Sequence, residues 1–494
     1  MSRKIGLVLG TAAVVCLFGV ALMRSAAAPD PSRAAVAEAV APAASPEASI
    51  PASNSPAPQL PQGVVLHEAR KGESLPSLVR QYLPKTEYMT GSELERAIRG
   101  ANPELGSIWF KAGQKIMVPG MLPEGFGEQS KRIARDFEVR AIYLTGTMAG
   151  SAKGLEIMRR WRELGGNAVV FDLKDSDGIV NVPFEHPLSS VPAKTPIIRN
   201  LPKLVRHIHS LNMVAIGRIA IFRDEYLATK HPELAIQSRR NGTAWRENGK
   251  LVWTDPSRKD IQDYNIALAK YGAQHGLDEI QFDYVRFPAE GDQKDAKFVY
   301  QATNPEWHRK DVITAFVARA HEQIRPMNVL FSLDVFGVVA WQRPIDLAHT
   351  GQDIPELARH CDVLSPMIYP SHFFGMDGYA VPGDAPEHFI GASMDRFRKI
   401  TEGSGVVLRP WLQAFGWKTP SYSPQYIKRQ VEVAKSRGGI GFLFWNARND
   451  YSKPYAAMPE MQAGSKYVRG DELGEPVPQT TAVSAKPATS RGTM

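Results

Sequence analysis

The chain has 494 residues, too many for one ordinary domain unless that domain is a barrel, so we expect at least two folded units joined by linkers. Lysine and arginine number 59 against 51 aspartate and glutamate, which gives a net charge of +8, but no basic cluster is dense enough to follow a phosphate backbone. Nucleic acid is therefore excluded as an expected partner.

The amino-terminal residues 1–28 are expected to direct export. Arg3 and Lys4 form a short positive region, an apolar run covers residues 5–23, and small residues suited to cleavage follow it. An uncleaved membrane anchor is the alternative, because a spanning helix needs about 20 apolar residues. Both interpretations predict a protein exported to the periplasm, the cell envelope or the extracellular space.

Two segments are too poor in large apolar groups to fold. Residues 29–62 are rich in Ala, Pro and Ser, and residues 462–494 are rich in Gly, Pro, Ser and Thr. We predict a semi-extended, disordered tether at the first position and a disordered tail at the second.

Residues 64–119 are expected to form a small domain in the order strand, helix, helix, strand. A turn at Lys71-Gly-Glu-Ser-Leu75 follows the first strand, Asn102-Pro103 follows the second helix, and Ala112 to Pro119 form the last strand. These features resemble a LysM module, and the resemblance implies binding of N-acetylglucosamine-containing glycans such as peptidoglycan. The alternative is a small packing domain that binds nothing, because fold alone does not settle function.

After a connector at residues 120–138, the chain repeats a strand followed by an amphipathic helix from 139 to 461. Eight such units predict an α/β fold, a parallel (β/α)8 TIM barrel. An open doubly wound sheet is the alternative, but no Gly-rich phosphate loop follows the first strand. The predicted strands cover residues 140–144, 168–173, 214–219, 279–285, 329–336, 363–369, 407–414 and 441–445, and the predicted helices include 154–164, 201–211, 261–275, 312–324, 394–401 and 426–436.

The predicted fourth strand carries the residue on which the functional interpretation depends. Apolar and polar side chains alternate along residues 279–285, and Gln281 and Asp283 share one face. An ionised carboxylate is expensive to bury unless it is paired or used, so Asp283 near the end of the strand indicates chemistry. The alternative is a structural Asp that caps the next loop or pairs with Arg286.

Polar and aromatic side chains also end several other predicted strands. The active site of a (β/α)8 barrel lies at the C-terminal ends of its strands, so these side chains are expected to converge. Each also has a structural interpretation, for example a pair between Asp172 and Lys174. The candidates are Asp283 and Asp334 for catalysis, and Asp172, Lys174, Arg218, Gln281, Arg286, Tyr369, Trp411, Gln413, Trp445 and Asn446 for substrate binding.

This combination of residue types fits carbohydrate chemistry, since two carboxyl groups cleave a glycosidic bond and aromatic faces stack on sugar rings. No cofactor or metal is expected, because the histidines show no HExxH spacing and cluster only at His207 and His209. No disulfide is expected in the exported part either, because Cys16 lies in the apolar run and leaves only Cys361.

Specific motifs extend over the whole predicted barrel. They are Tyr143-Leu-Thr-Gly146, Val170-Phe-Asp-Leu-Lys-Asp175 with Gly178, Gly217-Arg218, Trp253-Thr-Asp-Pro256, Asp334-Val-Phe-Gly337, Ser365-Pro-Met-Ile-Tyr-Pro370 and Arg409-Pro-Trp-Leu-Gln413. With them, residues 139–455 resemble the "putative glycoside hydrolase" domain family of bacterial secreted proteins, which is grouped with the α-amylase-like and related glycosidase barrels. By analogy with those barrels, the resemblance implies that Asp283 is the nucleophile or charge stabiliser and that Asp334 is the acid/base.

The fourth strand also resembles that of family 18 chitinases, with one departure. The catalytic Glu of that family aligns with Val285, which excludes the family 18 mechanism in its usual form.

The sequence thus predicts an exported glycoside hydrolase acting on peptidoglycan or another envelope or matrix polysaccharide. The alternative is a non-catalytic glycan-binding or scaffolding protein with a degenerate barrel site. A long insert at residues 223–259, with Tyr226, His231, Trp245 and Trp253, is expected to form either a subsite wall or a mobile surface loop.

Overall fold

The computed structural model describes residues 60–191 and 194–463. The predicted export segment lies outside the described residues, and so do most of the predicted tether and tail. None of the helices in the described part of the chain is long and apolar enough to span a bilayer.

The amino-terminal domain has the predicted order of strand, helix, helix and strand. Strands β1 (Val65–Glu68) and β2 (Lys115–Val118) pair antiparallel, and helices α1 (Leu75–Tyr82) and α2 (Gly91–Ala101) pack on them around a small apolar core of their own. Both helices begin at a capping box, because the Ser74 and Thr90 side chains accept hydrogen bonds from the backbone N–H three residues ahead.

Asn102 of this domain has a structural role. Its amide nitrogen donates to the carbonyl oxygens of Ile98, at 2.6 Å, and Met117, at 2.8 Å, and its amide oxygen accepts from the Met117 N–H at 2.8 Å. These bonds tie the end of α2 to β2, which explains why the sequence has Asn at this point.

Eight parallel strands close into a barrel, as predicted. The sheet runs β3, β4, β5, β7, β9, β10, β12 and β13, and β13 pairs with β3. The seventh strand is interrupted, so β11 and β12 both pair with β10. The strands are β3 (Arg140–Leu144), β4 (Ala168–Lys174), β5 (Val214–Ala220), β6 (Gln237–Ser238), β7 (Glu279–Asp283), β8 (Ala296–Lys297), β9 (Leu330–Phe336), β10 (Val363–Ile368), β11 (Val407–Leu408), β12 (Trp411–Gln413) and β13 (Phe442–Trp445).

Helices cover the outside of the barrel and fill the connections between strands. They are α3 (Gly146–Ala149), α4 (Ala152–Glu163), α5 (Leu201–Ser210), α6 (Glu225–Lys230), α7 (Lys259–Gln274), α8 (Tyr300–Thr303), α9 (Arg309–Ile324), α10 (Pro344–Thr350), α11 (Ile354–Leu357), α12 (Pro386–Ile400), α13 (Pro424–Ser436) and α14 (Ser452–Ala463). Helix α14 ends at Ala463 and so includes the first two residues of the predicted tail.

Alternation along the strands divides the apolar residues into two clusters. On β7, Ile280 and Phe282 pack outward against the helices, where the Phe282 ring stacks on Phe316 with centroids 6.0 Å apart. Glu279, Gln281 and Asp283 take the other face. The alternation therefore places three polar side chains of one strand inside the barrel.

A buried ion pair crosses the barrel interior between the fourth and seventh strands. Arg409 Nη1 donates to Glu279 Oε2 at 2.7 Å, and both side chains are fully buried. Two residues nearer the carboxyl end of β7, Gln281 Nε2 donates to Ser365 Oγ at 3.4 Å. This half of the interior is polar, while β3, β4, β5, β12 and β13 line the other half with apolar side chains.

The insert at residues 223–259 is packed into the fold. It contains α6 and β6, β6 pairs with β8 outside the barrel, and Arg223 forms an isolated bridge with Trp253. The Trp245 and Trp253 side chains are buried. The insert therefore forms a wall on the third- and fourth-strand side of the barrel.

The amino-terminal domain is held against the barrel by helix α5. Lys203 Nζ donates to the carbonyl oxygen of Leu83 at 2.6 Å and to that of Tyr88, and Asn200 Nδ2 donates to the carbonyl oxygen of Pro84 at 2.9 Å. Burial lowers the pKa of Lys203 to about 8. The contact uses backbone carbonyls as acceptors, so it depends on the fold of the small domain more than on its side chains.

The connector between the two domains is fixed at the amino-terminal end of the barrel strands, where Asp278 precedes β7. His209 lies between two carboxylates, with Nδ1 2.9 Å from Glu128 Oε1 and Nε2 3.0 Å from Asp278 Oδ2. The Lys131 backbone N–H donates to Asp278 Oδ1 at 2.6 Å. Burial works to lower the pKa of His209, but the hydrogen bonds to Asp278 and Glu128 raise it overall.

Candidate active site

Arg218 lies at the centre of the carboxyl end of the barrel. Its Nη1 donates to Asp172 Oδ1 at 2.5 Å, and its Nη2 and Nε donate to Asp283 Oδ2 at 2.6 and 3.1 Å. Its Nε also lies 3.9 Å from Asp334 Oδ2. One guanidinium from the third strand therefore gathers carboxyl groups from the second, fourth and fifth strands.

The two predicted catalytic residues meet at this guanidinium. Because Arg218 Nε lies 3.1 Å from Asp283 Oδ2 and 3.9 Å from Asp334 Oδ2, the two carboxyl oxygens are at most about 7 Å apart. Trp411 Nε1 donates to Asp334 Oδ1 at 2.7 Å, and the Tyr284 backbone N–H donates to Asp283 Oδ1 at 2.6 Å. Asp283 is thus hydrogen-bonded through both of its oxygens, and Asp334 is hydrogen-bonded through Oδ1.

The three carboxyl groups cannot all be ionised at low energetic cost around one cation. Burial, with Asp283 nearby, raises the pKa of Asp334 well above its usual range. Burial also raises the pKa of Asp172 to about 8, against the opposing effect of Arg218. Asp334 is 1% exposed and Asp283 6% exposed. The site therefore favours a protonated Asp334 beside an Asp283 that is paired with the guanidinium.

Aromatic rings continue the site towards the first, sixth and eighth strands. The Trp445 ring stacks on Tyr143, with centroids 6.4 Å apart, and on Tyr369, with centroids 5.7 Å apart. Phe415 meets Trp445 edge to face, and Trp445 is only half-buried. These rings form a partly exposed apolar surface next to the carboxyl groups, the pairing that sugar-binding sites use.

A cavity of about 380 Å³ opens on the side of the first and second strands. Asp172 and Asp175 line it, together with Thr145, Asn181 and Lys194. Asp283 and Asp334 do not line this cavity, but Asp172 connects it to them through Arg218. Its volume falls in the range of small-molecule sites.

Five predicted substrate-binding residues are held by contacts within the protein itself. Lys174 pairs with Asp224 at 2.7 Å rather than with Asp172, and both side chains are fully buried. Gln281 is fully buried below Asp283. Arg286 Nη1 donates to the Phe287 carbonyl oxygen at 3.0 Å, and its guanidinium stacks between Trp253 and Phe336.

The remaining two of the five are amides that anchor loops. Gln413 Nε2 donates to the Phe415 carbonyl oxygen and to Thr419 Oγ1, both at 2.8 Å, and Asn446 Nδ2 donates to the Ala414 carbonyl oxygen at 2.6 Å. Both residues therefore shape the loops after the seventh and eighth strands.

The sequence interpretation did not choose three residues that the structure places in the site. The Tyr143 hydroxyl donates to Asp172 Oδ2 at 2.5 Å, and Asp175 Oδ1 lies 3.4 Å from Arg218 Nη1. Tyr284 directly follows Asp283, the last residue of β7. The signal for Tyr143 was available, because it lies at the end of the first strand on the inward parity.

Within residues 60–191 and 194–463, no group of three His, Cys, Asp or Glu side chains is arranged to hold a metal ion. The guanidinium of Arg218 occupies the centre of the carboxyl cluster instead.

A closed parallel barrel whose mouth combines two carboxyl groups, a guanidinium and aromatic rings defines the class of glycosidase-like barrels. The model of the family described as "Putative glycosyl hydrolase domain" matches residues 141–451. The chain belongs to this family.

Solved structures are similar to parts of the chain. A hypothetical protein from Ruminiclostridium thermocellum ATCC 27405 is 37% identical, over 39% of this chain and 97% of that one, with a TM-score of 0.34. The glycoside hydrolase domain of PgaB (BpsB) from Bordetella bronchiseptica is 14% identical, over 68% and 99%, with a TM-score of 0.49. The spore cortex-lytic enzyme SleL from Bacillus megaterium QM B1551 is 12% identical, over 84% and 89%, with a TM-score of 0.40. No curated protein matches the chain.

Proposed function

We propose that the protein is an exported glycoside hydrolase that cleaves a cell-envelope or matrix polysaccharide, with a peptidoglycan-type glycan favoured. The observation that carries this proposal is the meeting of Asp283 and Asp334 at Arg218, at the carboxyl end of the barrel. Glycosidic bonds are hydrolysed by two carboxyl groups, one of which donates a proton to the leaving oxygen.

Asp334 is the acid in this proposal. Burial and the neighbouring Asp283 raise its pKa well above the usual range of an Asp, which favours the protonated form that a general acid needs. Since Asp334 Oδ1 accepts the Trp411 indole N–H, the proton belongs on Oδ2, the oxygen nearer Arg218 and Asp283. That proton is transferred to the glycosidic oxygen as the bond to the leaving sugar breaks.

Asp283 acts on the sugar that gains positive charge. Two guanidinium N–H groups of Arg218 donate to its Oδ2. The carboxylate serves as nucleophile, or as base on a water molecule, with the choice set by the separation of the two carboxyl groups. A separation near 5 Å corresponds to retention, and about 6.5 Å or more to inversion.

The amino-terminal domain is proposed to bind the same glycan as a LysM module does. Its order of strand, helix, helix and strand and its Lys71-Gly-Glu-Ser-Leu75 turn support this assignment. Lys203 holds the domain on the barrel, so glycan bound by the small domain stays near the barrel. Export by residues 1–28 gives both domains access to an envelope polysaccharide.

The alternative is a glycan-binding protein without turnover, and one observation favours it. Asp334 is 1% exposed, and both of its oxygens lie against protein groups, so a glycosidic oxygen reaches Oδ2 only if neighbouring side chains move. A binding protein with a sealed acid would still use the aromatic rings around Trp445.

Turnover by the full-length protein distinguishes the two functions. We expect reducing ends to be released from peptidoglycan or from one member of a polysaccharide panel, and we expect Asp283→Asn and Asp334→Asn to abolish that release. Asp136→Asn, which changes an exposed Asp of the connector, is the matched control and should retain full activity. Glycan binding without released ends, equal in the wild type and in both site variants, would establish the binding protein instead.

A further inference from the structure

Tyr284, next to the proposed nucleophile, has an unusual backbone conformation. Its φ is +52°, in the left-handed region that aromatic residues rarely adopt. Its N–H donates to Asp283 Oδ1 at 2.6 Å, so the conformation fixes the Asp283 carboxyl group. Strained residues of this kind cluster at ligand sites, where the surrounding structure maintains them.

Two arginines flank the Tyr284 ring. The guanidinium carbons of Arg223 and Arg286 each lie 5.6 Å from the ring centroid. Arg223 follows the third strand and is half-buried. Among the residues that the structure describes, no carboxylate forms an ion pair with the Arg223 guanidinium, whose contact is the face of the tyrosine ring. Its N–H donors are thus available to a ligand.

Trp253 adds a buried polar group without a partner. Its ring meets Tyr284 edge to face, with centroids 6.1 Å apart, and its side chain is 1% exposed. Within the described part of the chain, its indole N–H has no hydrogen-bond acceptor. A buried donor without an acceptor is unfavourable, so this cluster lacks an anionic or carbonyl oxygen.

Charge is distributed unevenly across the mouth of the barrel. The cavity near the first and second strands is lined by Asp175, Asp177 and Lys194, and by Asp172, whose raised pKa leaves it mostly uncharged at neutral pH. The side near the third and fourth strands carries the guanidinium of Arg223. An acidic glycan is repelled from the first side and attracted to the second, which would fix the direction in which it lies.

We propose that Arg223, Tyr284 and Trp253 form a subsite for a sugar unit that carries a carboxylate, adjacent to Asp283. The guanidinium would bind the carboxylate through two parallel N–H donors, and the tyrosine ring would hold the guanidinium in position. The inference rests on the proposed hydrolase function and narrows its substrate class to acidic glycans. Uronic acids present this chemistry, and so do amino sugars with a lactyl ether whose carboxyl group is not in amide linkage to a stem peptide.

The test compares an acidic glycan with the same glycan after its carboxyl groups have been reduced to alcohols. Peptidoglycan glycan strands freed of their stem peptides and a uronic-acid polysaccharide are used as separate substrates, so that the two sources of the carboxylate are distinguished. The full-length wild type is compared with Arg223→Gln and Arg223→Lys. Arg246→Gln is the matched control, because Arg246 is an exposed arginine of the same insert.

We expect carboxyl reduction to raise the KM of the wild type about tenfold, with a much smaller change in kcat. Arg223→Gln should raise KM by a similar factor on the acidic glycan and have no effect on the reduced one. Arg223→Lys should recover part of the loss because it keeps the charge, and Arg246→Gln should match the wild type. Equal KM values for acidic and reduced glycan, in the wild type and in Arg223→Gln alike, would overturn the subsite.

A failure of the hydrolase function is distinguishable from a failure of the subsite. If no glycan is cleaved, binding of acidic and reduced fragments to the same variants is measured by calorimetry. A preference for acidic fragments that Arg223→Gln removes retains the subsite and rejects the hydrolase. Turnover with the same KM on acidic and reduced glycan, in the wild type and in Arg223→Gln, retains the hydrolase and rejects the subsite.

Discussion

Replacing Asp334 with asparagine should abolish most turnover without destabilising the protein. Asparagine keeps the size of the side chain, and its oxygen can still accept the Trp411 indole N–H, but it has no proton to donate. Loss of a general acid lowers kcat by roughly 10²- to 10⁴-fold, or about 3–5 kcal/mol in the activation barrier.

Stability should respond differently to changes at the two carboxyl groups. Burial and the nearby Asp283 raise the pKa of Asp334 and so favour its protonated form, which the neutral asparagine resembles, so the substitution should break no ion pair. Asp283→Asn instead breaks the pair with Arg218, and removing one partner of a buried pair costs about 3–5 kcal/mol. Because Arg218 keeps Asp172 at 2.5 Å, we expect the lower end of that range.

The pH dependence gives an independent check on Asp334. Its folded pKa is raised above the unfolded value of 3.8, so the folded state holds a proton that the unfolded state releases. The wild type therefore loses stability as the pH rises from about 4 towards the folded pKa, and Asp334→Asn lacks this loss. The variant should melt at or above the wild-type temperature at pH 7, and the difference should disappear near pH 4.

Thermal melts at pH 4, 5.5 and 7, together with single-turnover assays, measure both effects on the same preparations. A large drop in melting temperature for Asp334→Asn at pH 7, with turnover within a few-fold of the wild type, would show that Asp334 is an ionised structural residue and would falsify the assignment of the acid.

Three further predictions concern contacts around the site and between the domains. Trp411→Phe removes the indole donor to Asp334 and should lower kcat more than it changes KM, as measured by steady-state kinetics. Lys203→Met should release the amino-terminal domain, so limited proteolysis will cut between the domains faster, while the barrel alone melts as before. His209→Gln removes a cation held by Asp278, whose contribution to stability is present below the unfolded pKa and is lost as pH rises through the raised folded pKa. Its destabilising effect should therefore be larger at pH 5.5 than at pH 9 in denaturant titrations.

Periodicity in the sequence was sufficient to predict the architecture, since every predicted barrel strand overlaps an observed one. One exception is the seventh strand, which was expected to be continuous and is interrupted between Leu408 and Trp411. Another is the fourth strand, which was expected to reach Val285 and ends at Asp283. Alternation of apolar residues continues through Tyr284, but its left-handed φ stops the ladder. A backbone conformation of this kind leaves no mark on hydrophobic periodicity.

The partners of the site residues were less predictable than their positions. Asp172 and Lys174 share a parity in the sequence, yet the register of β4 against β5 shifts between them, and they bind Arg218 and Asp224 respectively. A bulge changes the direction of the residues that follow it, and single-sequence patterns do not reveal it. The convergence of Asp172, Asp283 and Asp334 on Arg218 likewise depends on barrel closure.

The polar layer inside the barrel limits how this sequence can evolve. Arg409 and Glu279 come from strands on different sides of the interior, and each neutralises the other where no solvent reaches. A single substitution at either position leaves an unpaired charge in the core. Replacing both residues by apolar side chains of matching volume changes the free energy of unfolding little. We therefore expect these two positions to change together during evolution, and a redesign of the barrel should substitute both or neither.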